Sequence, residues 1–405
     1  MRSWATNSFQ AVKLVRGEGC RVWDEAGRSY LDLLAGTWCN VLGHSHPEWA
    51  RAVAEQVGRL THLGAAFGSD ELEAGLAKLA EIVPPALDRA VLLSSGSEAV
   101  ELALKVARAA TGADGVAVVR GGYYGATAYT LALSEAGLAA ATLPAFGGVE
   151  RLPLPHCGRC PAGSAWPCGA FPCLAPLERL AAEGRGRLAA VLYEPVLGGG
   201  IFAPPVGWGT RLRELATRCG ALLVAEEVTT GMGRTGRWFG FEHDGIVPDV
   251  LVVGKAIGGG LPVSAVVTTS EVERRARERL GVHVQSHQND PLSGRVAATV
   301  ISIMQDERLV ERAADRGERL RDGLERLART LPIREVRGRG AMLGAELAPE
   351  LAPRGPELAG RLLEAGFIVN FHPATSTFRL LPPLVISPAE VDAFLGAFGE
   401  ALAAA

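Results

Sequence analysis

The sequence predicts an α/β fold built on a mostly parallel sheet, with a smaller α+β unit attached. Three observations carry this expectation. Between about residues 90 and 270, short apolar runs alternate with longer segments of helical periodicity, the pattern of βαβ units. After Pro291 the character changes to a charged amphipathic stretch followed by short strand-like runs. The chain has 405 residues, 48% of them hydrophobic. That is enough for a large core and for two to three domain-sized units, or one large domain with a smaller one attached.

The elements follow in order. VRGEGCRVWDEAGRSYLDL reads as a hairpin turning at Glu25-Ala26-Gly27-Arg28. Strands are expected at 90–95, 115–119, 188–195, 221–228, 249–254 and 264–269, with a helix over 98–110. The Gly-, Pro- and Cys-rich stretch from Pro153 to Pro176 is a long irregular loop. Residues 311–330 form an amphipathic helix, and AMLGAEL and FIVNFH are strands of the smaller unit.

Composition excludes several classes. Forty-one basic against 44 acidic residues leave a net charge of -3, no footprint for nucleic acid and no polybasic membrane anchor. The N-terminus carries no apolar signal core, and no run of about 18 uncharged apolar residues suggests a membrane span. Seven cysteines, an odd number, fit a reducing cytoplasm. Only four of the 41 basic residues are lysines, namely Lys13, Lys78, Lys105 and Lys255. Chemistry that needs an amine has few candidates.

Four segments carry chemistry. In LLSSGSEAVELALK, Ser95, Gly96 and Ser97 stand where a strand gives way to a helix. Free N–H groups and hydroxyls there make an anion site, although serine capping is an equal reading. GGYYGAT places two tyrosines at a strand's C-terminal end, where ligands collect in such sheets. LLVAEEV runs an apolar strand into Glu226 and Glu227. Strand alternation sends them to opposite faces, so one of them meets a ligand. DVLVVGKAIGGG puts Lys255 after a continuous apolar strand, where poor solvation lowers an amine's pKa. Lys13 lies in the N-terminal arm. Lys78 sits on the outer face of a helix, and Lys105 stands one turn after Glu101, an ordinary ion-pair spacing. Anion site, aromatic face, strand-end carboxylate and desolvated lysine together are what pyridoxal 5'-phosphate requires.

At these motifs the sequence resembles the class III aminotransferases, which are fold-type I pyridoxal-phosphate enzymes. The resemblance spans nearly the whole chain, through LGHSHPE, SSGSEAVELALK, GGYYG, YEPV, EEVTTGMGRTG, GKAIGGGLPVSAVV, VRGRGAMLGAEL and TFRLLPPL. LDLLAGTWCNVLGHSHPE and SHQNDPL look most like the 2,2-dialkylglycine decarboxylases of that family. The resemblance implies a seven-stranded, mostly parallel sheet in a large domain at 46–292. A small domain would be formed from residues 1–45 and 293–405. It implies transamination between an amine or amino-acid donor and an oxo acceptor by a homodimer with shared sites. Lys255 would be the aldimine lysine and proton shuttle, and Glu226 the partner of the pyridine nitrogen. Ser95, Gly96 and Ser97 would hold the phosphate, Tyr123 would stack on the ring, and Thr229 would lie near its 3'-oxygen. Ser286 would reach the neighbouring subunit's phosphate. On the substrate side stand Arg379 for a carboxylate, Glu194 in support, and Thr37 and Trp38.

Departures from the family matter. Glu226 replaces an aspartate and Thr229 a glutamine. Members that accept ω-amines carry a glutamate that gates the arginine. Here that position is Gly199, so Arg379 should stay open for a carboxylate. Thr37 replaces a glutamine of the decarboxylases, which argues against their chemistry. Decarboxylation-dependent transamination and isomerisation remain the enzymatic alternatives, and a cofactor-binding regulatory protein the non-enzymatic one.

Three clusters have blander readings. Cys157, Cys160, Cys168 and Cys173 could ligate zinc, but their later spacings are irregular. Asp290 matches a decarboxylase position that ligates an alkali ion. The hydroxyl ligand expected beside it is Ala65 here, so a loop cap before Pro291 is preferred. His44 and His46 belong to loop structure ahead of a helix starting at Pro47.

Overall fold

The computed structural model describes residues 12–64, 66–135, 148–160, 168–184, 186–281 and 283–405. Ala65 and residues 161–167 of the cysteine-rich loop lie outside them.

Three sheets organise the chain. The first strands, β1 (Leu14–Glu18), β2 (Arg21–Asp24) and β3 (Ser29–Asp32), form an antiparallel meander, and β2 and β3 meet at the expected turn. The large sheet holds seven strands: β4 (Arg89–Leu93), β5 (Gly115–Val119), β6 (Val149–Leu152), β7 (Leu188–Tyr193), β8 (Leu222–Glu227), β9 (Val250–Val253) and β10 (Ser264–Thr268). Their order is β4-β10-β9-β8-β7-β5-β6. Only β10 runs against its neighbours. Every residue of β5, β7, β8, β9 and β10 is buried, which is why these strands show as unbroken apolar runs.

The third sheet is built from β11 (Ile333–Arg339), β12 (Met342–Leu347), β14 (Asn370–His372) and β15 (Thr377–Leu380). The short β13 (Phe367–Ile368) pairs with β3 and so ties the C-terminal region to the N-terminal meander. FIVNFH is therefore two strands in two sheets.

Helices of nine or more residues are α1 (Pro47–Val57), α2 (Asp70–Ile82), α3 (Gly96–Thr111), α4 (Ala175–Glu183) and α5 (Trp208–Cys219), followed by α6 (Ser270–Leu280), α7 (Pro291–Asp306), α8 (Leu309–Ala328), α9 (Gly355–Glu364) and α10 (Pro388–Ala403). The expected boundary at 292/293 falls in the first turn of α7, and the body of α7 packs on α1 and α2. The α2–α7 crossing is close because both helices present glycine. A Cβ on Gly75 would stand 2.6 Å from the Gly294 carbonyl oxygen, and one on Gly294 would stand 2.4 Å from that of Glu71.

Two local expectations are corrected. Lys105 is exposed and makes no ion pair among the described residues, because Glu101 instead accepts the Thr127 hydroxyl at 2.6 Å. Asp290 occupies the N-cap position of α7, but its side chain makes no cap bond. His44 and His46 stand in the loop ahead of α1, and each binds a carboxylate, Asp32 at 2.8 Å and Glu307 at 3.0 Å.

Alanine at Gly75 gains helix propensity but forces two backbones apart. We expect Gly75→Ala to lower the urea-unfolding free energy by about 1–3 kcal/mol. An unchanged free energy would refute the close crossing.

Candidate active site

A cleft of about 400 Å³ opens where β8 and β9 end and α3 begins. Its walls come from Ser94–Ser97, Tyr123–Gly125, Glu226, Val228, Lys255 and Gly260–Val263, with Cys39 at one side. A larger cavity of about 580 Å³ lies between α3, α6 and the β4–β10 edge. Among its charged walls, Arg89 and Arg277 both pair with Glu273. It gathers no lysine, cysteine or buried acid, so the smaller cleft is where reactive groups converge.

Lys255 follows β9 after the single residue Gly254. Its backbone sits at φ 44°, a left-handed conformation costing on the order of 1–3 kcal/mol in a residue with a side chain. Such strain persists where surrounding structure fixes it, and here the turn swings the amine into the cleft. Nζ donates to Thr229 Oγ1 at 2.7 Å and stands 5.1 Å from the centroid of the Trp38 ring. Burial pushes the amine's pKa down, against the opposing pull of Glu226 and Glu194.

The two strand-end acids part as alternation requires. Glu226 lines the cleft, and burial pushes its carboxyl well up, with the Glu194 charge adding to the effect. Glu227 turns to the other face. It accepts the Thr230 hydroxyl at 2.5 Å and the Gly240 and Phe241 N–H groups at 2.9 Å each. Burial still raises it to about 7 against those donors.

At the start of α3, Ser95 and Glu98 form a capping box. Ser95 Oγ accepts the Glu98 N–H, and the Glu98 carboxylate accepts the Ser95 N–H. Ser95 is thus spent on holding the helix start. The N–H groups of Gly96 and Ser97 have no intrahelical partner at this position. Ser97 Oγ accepts the Ala126 N–H at 3.0 Å and keeps its own proton to donate. A Cβ on Gly96 would stand 2.9 Å from Val228 Cγ2, so glycine is what lets the helix start close on β8.

Glu194 follows β7. One oxygen accepts the Tyr123 N–H at 2.7 Å and the other the Gly198 N–H at 2.8 Å, while burial raises the carboxyl to about 7. The Gly198 carbonyl in turn accepts from Arg379 at 3.1 Å, and Asn370 Oδ1 accepts Arg379 Nε at 2.7 Å. Arg379 lies 4.9 Å from the Trp38 centroid, so one indole neighbours both cations. No carboxylate pairs with Arg379 among the described residues, and burial lowers its pKa to about 10.

Lys255, Glu226, Ser95, Gly96, Ser97 and Tyr123 therefore share one cleft, with Thr229, Trp38, Glu194 and Arg379 around the Lys255 side. Thr37 is exposed and outside the cleft walls, as is Ser286, which lies in the segment before α7. Cys157 and Cys168 approach to 3.4 Å, but the four cysteines do not converge as a ligand set. Sequence reasoning missed Cys39, Asn370 and Glu98. For Glu98 the S-x-x-E spacing was a usable signal.

The donor set fits pyridoxal phosphate: amides and a hydroxyl at a helix start for phosphate, a tyrosine beside the cleft, an acid and an amine at neighbouring strand ends. The comparisons agree. The family described as Aminotransferase class-III matches residues 3–402. The chain is 37% identical to a diaminobutyrate–2-oxoglutarate aminotransferase of Rhizobium meliloti, over 96% of this chain and 87% of the relative. It is 36% identical to the acetylornithine aminotransferase of Mycobacterium tuberculosis, over 95% and 90%. An amine transaminase from an uncultivated Pseudomonas species, solved with pyridoxal phosphate bound, superposes with TM-score 0.93 at 27% identity, covering 100% of this chain and 99% of that one.

Glu227 yields a pH test. The folded state keeps a proton to about 7 that an ordinary carboxyl loses near 4.5. Stability from this group therefore falls as pH rises through that window and levels off above it. Glu227→Gln cannot lose the proton. Between about pH 5 and pH 8 the variant should gain on wild type, in cofactor-free urea unfolding, by up to about 3 kcal/mol. A constant gap would mean that Glu227 does not titrate between pH 5 and pH 8 in the folded state.

Proposed function

The chain belongs to the class III aminotransferases, and on that premise we propose how its residues divide the work. It is a pyridoxal-phosphate-dependent enzyme that moves an amino group from a small-molecule donor to an oxo acceptor. The cofactor, when bound, supplies a protonated ring that draws electrons from the bonds of the substrate carbon bearing the amine.

Lys255 Nζ is the attachment point for the cofactor and, once displaced by the donor amine, the proton carrier. A desolvated amine is populated in the neutral form, which can take a proton from carbon and return it. Glu226 holds a proton against the ring nitrogen. The Gly96 and Ser97 amides and the Ser97 hydroxyl hold the phosphate, while Ser95 fixes the helix start that aims them. Tyr123 covers the ring, held by its N–H bond to Glu194. Thr229 lies near the ring oxygen and orients Lys255. Ser286 serves the phosphate of a second copy of the chain, which makes the working form a homodimer.

Arg379 binds a substrate carboxylate. The observation that carries this reading is its state of satisfaction: among the described residues the guanidinium meets only two neutral oxygens, those of Asn370 and Gly198. Two NH groups bonded in parallel to a carboxylate would neutralise it. Gly198–Gly200 offers no acid to gate it. The enzyme therefore takes amino acids and oxo acids in preference to simple amines.

Loss of the bound cofactor's visible band, followed across a panel of donors with carbon dioxide assayed in parallel, tests the reading. Donors with a carboxylate beside the amine should bleach the band without releasing carbon dioxide. Release with the productive donor would move the chain to the decarboxylation-dependent transaminases. Arg379→Ala should lower kcat/KM about 100-fold for carboxylate-bearing donors and little for simple amines. An equal loss for both classes would remove Arg379 from carboxylate recognition.

A further inference from the structure

Away from the cleft, two loops meet on one carboxylate. His62 lies in the segment after α1, and His287 in the segment entering α7. Asp290 directly precedes α7 and is only 5% exposed. Its Oδ1 meets His62 Nδ1 at 2.6 Å and its Oδ2 meets His287 Nδ1 at 2.7 Å. The Leu63 N–H also points at Oδ1, at 3.4 Å. The imidazole rings are 4.9 Å apart and tilted by 54°.

We propose that His62, His287 and Asp290 bind one divalent transition-metal ion. One ligand atom from each lies within 4.8 Å of the others, and among the described residues this is the one place where three such groups converge. The site is already organised: the buried carboxylate forgoes capping α7 and presents both oxygens to the imidazoles. No lysine or arginine pairs with Asp290 among the described residues, so its partners there are the two imidazoles, both of them metal-ligating groups. The two histidine side chains are 46% and 63% exposed, which leaves water free to complete the coordination. Two imidazoles and a carboxylate suit zinc, cobalt, nickel or ferrous iron, whereas alkali and alkaline-earth ions take oxygen ligands. An imidazole that coordinates through Nδ1 gives up its hydrogen bond to Asp290 there and carries one proton on Nε2, and any second proton passes to water.

The ion would clamp the segment before α7 to the segment after α1. Ser286 is the neighbour of His287, so the clamp would also fix Ser286. That consequence rests on the role given to Ser286 above, whereas the metal site does not.

The test uses untagged holoprotein, stripped with a chelator and titrated with Co²⁺. We expect one equivalent per chain, ligand-field bands in the visible without a thiolate charge-transfer band, and a raised Tm. His62→Ala and His287→Ala should each weaken binding at least about tenfold. Both residues are exposed enough that these variants should fold, and their unchanged Tm without metal checks this. Cys157→Ser should bind as wild type does. Failure of the wild type to bind, wild-type affinity in either histidine variant, or a thiolate band would each overturn the site. None of these readouts depends on transamination, so the two readings fail separately.

Discussion

The active cleft depends on one costly placement, the Lys255 amine carried out of water at the end of a buried strand. An ammonium there loses hydration that a single hydrogen bond cannot replace. Burial therefore drives the amine toward neutrality, while two buried acids, Glu226 and Glu194, pull it back. Burial and the two acids thus act on one amine in opposite senses, and the neutral form that burial favours is the one that nucleophilic and proton-transfer work require. The surroundings hold it there. Thr229 receives the amine, Trp38 closes one side, and the chain tolerates a left-handed backbone at Lys255 itself. Lysine elsewhere in this protein has no such setting: Lys13 pairs with Glu25 and Lys78 with Glu81 near the surface, and Lys105 faces solvent.

A second buried carboxyl organises the rest. Glu194 reaches the Tyr123 N–H with one oxygen and the Gly198 N–H with the other. The first bond sets the loop that carries the aromatic wall. The second sets the peptide whose carbonyl receives Arg379. One side chain thus spans both halves of the cleft, and a shift in it would move the Tyr123 loop and the peptide that meets Arg379 together.

Much of this was legible in the sequence because burial on both faces writes strands as continuous apolar runs. β5 falls on its expected residues, and β7, β8 and β9 differ only at their ends. Period-two alternation correctly parted Glu226 from Glu227. Direction was not legible: nothing in SAVVTT marks β10 as the one reversed strand, because an apolar run reads the same both ways. Long-range polar contacts were invisible for a similar reason. Arg379 finds the Gly198 carbonyl 181 residues away, and backbone acceptors carry no sequence signature. Local rules also lost to tertiary partners. Glu101 leaves Lys105 for Thr127, and Asp290 leaves its own helix for His62 and His287. Ser95 shows the reverse case, in which the capping reading prevailed at a position whose neighbours offer the anion site.

We propose that the cofactor is held by Lys255, the one lysine whose side chain lines the cleft. Borohydride reduction of the holoprotein, digestion and mass mapping of the pyridoxyl group test it most directly. The account predicts label on Lys255 as the dominant product, with Lys13, Lys78 and Lys105 bare. Label spread over the exposed lysines, or absent from the peptide containing Lys255, would contradict it.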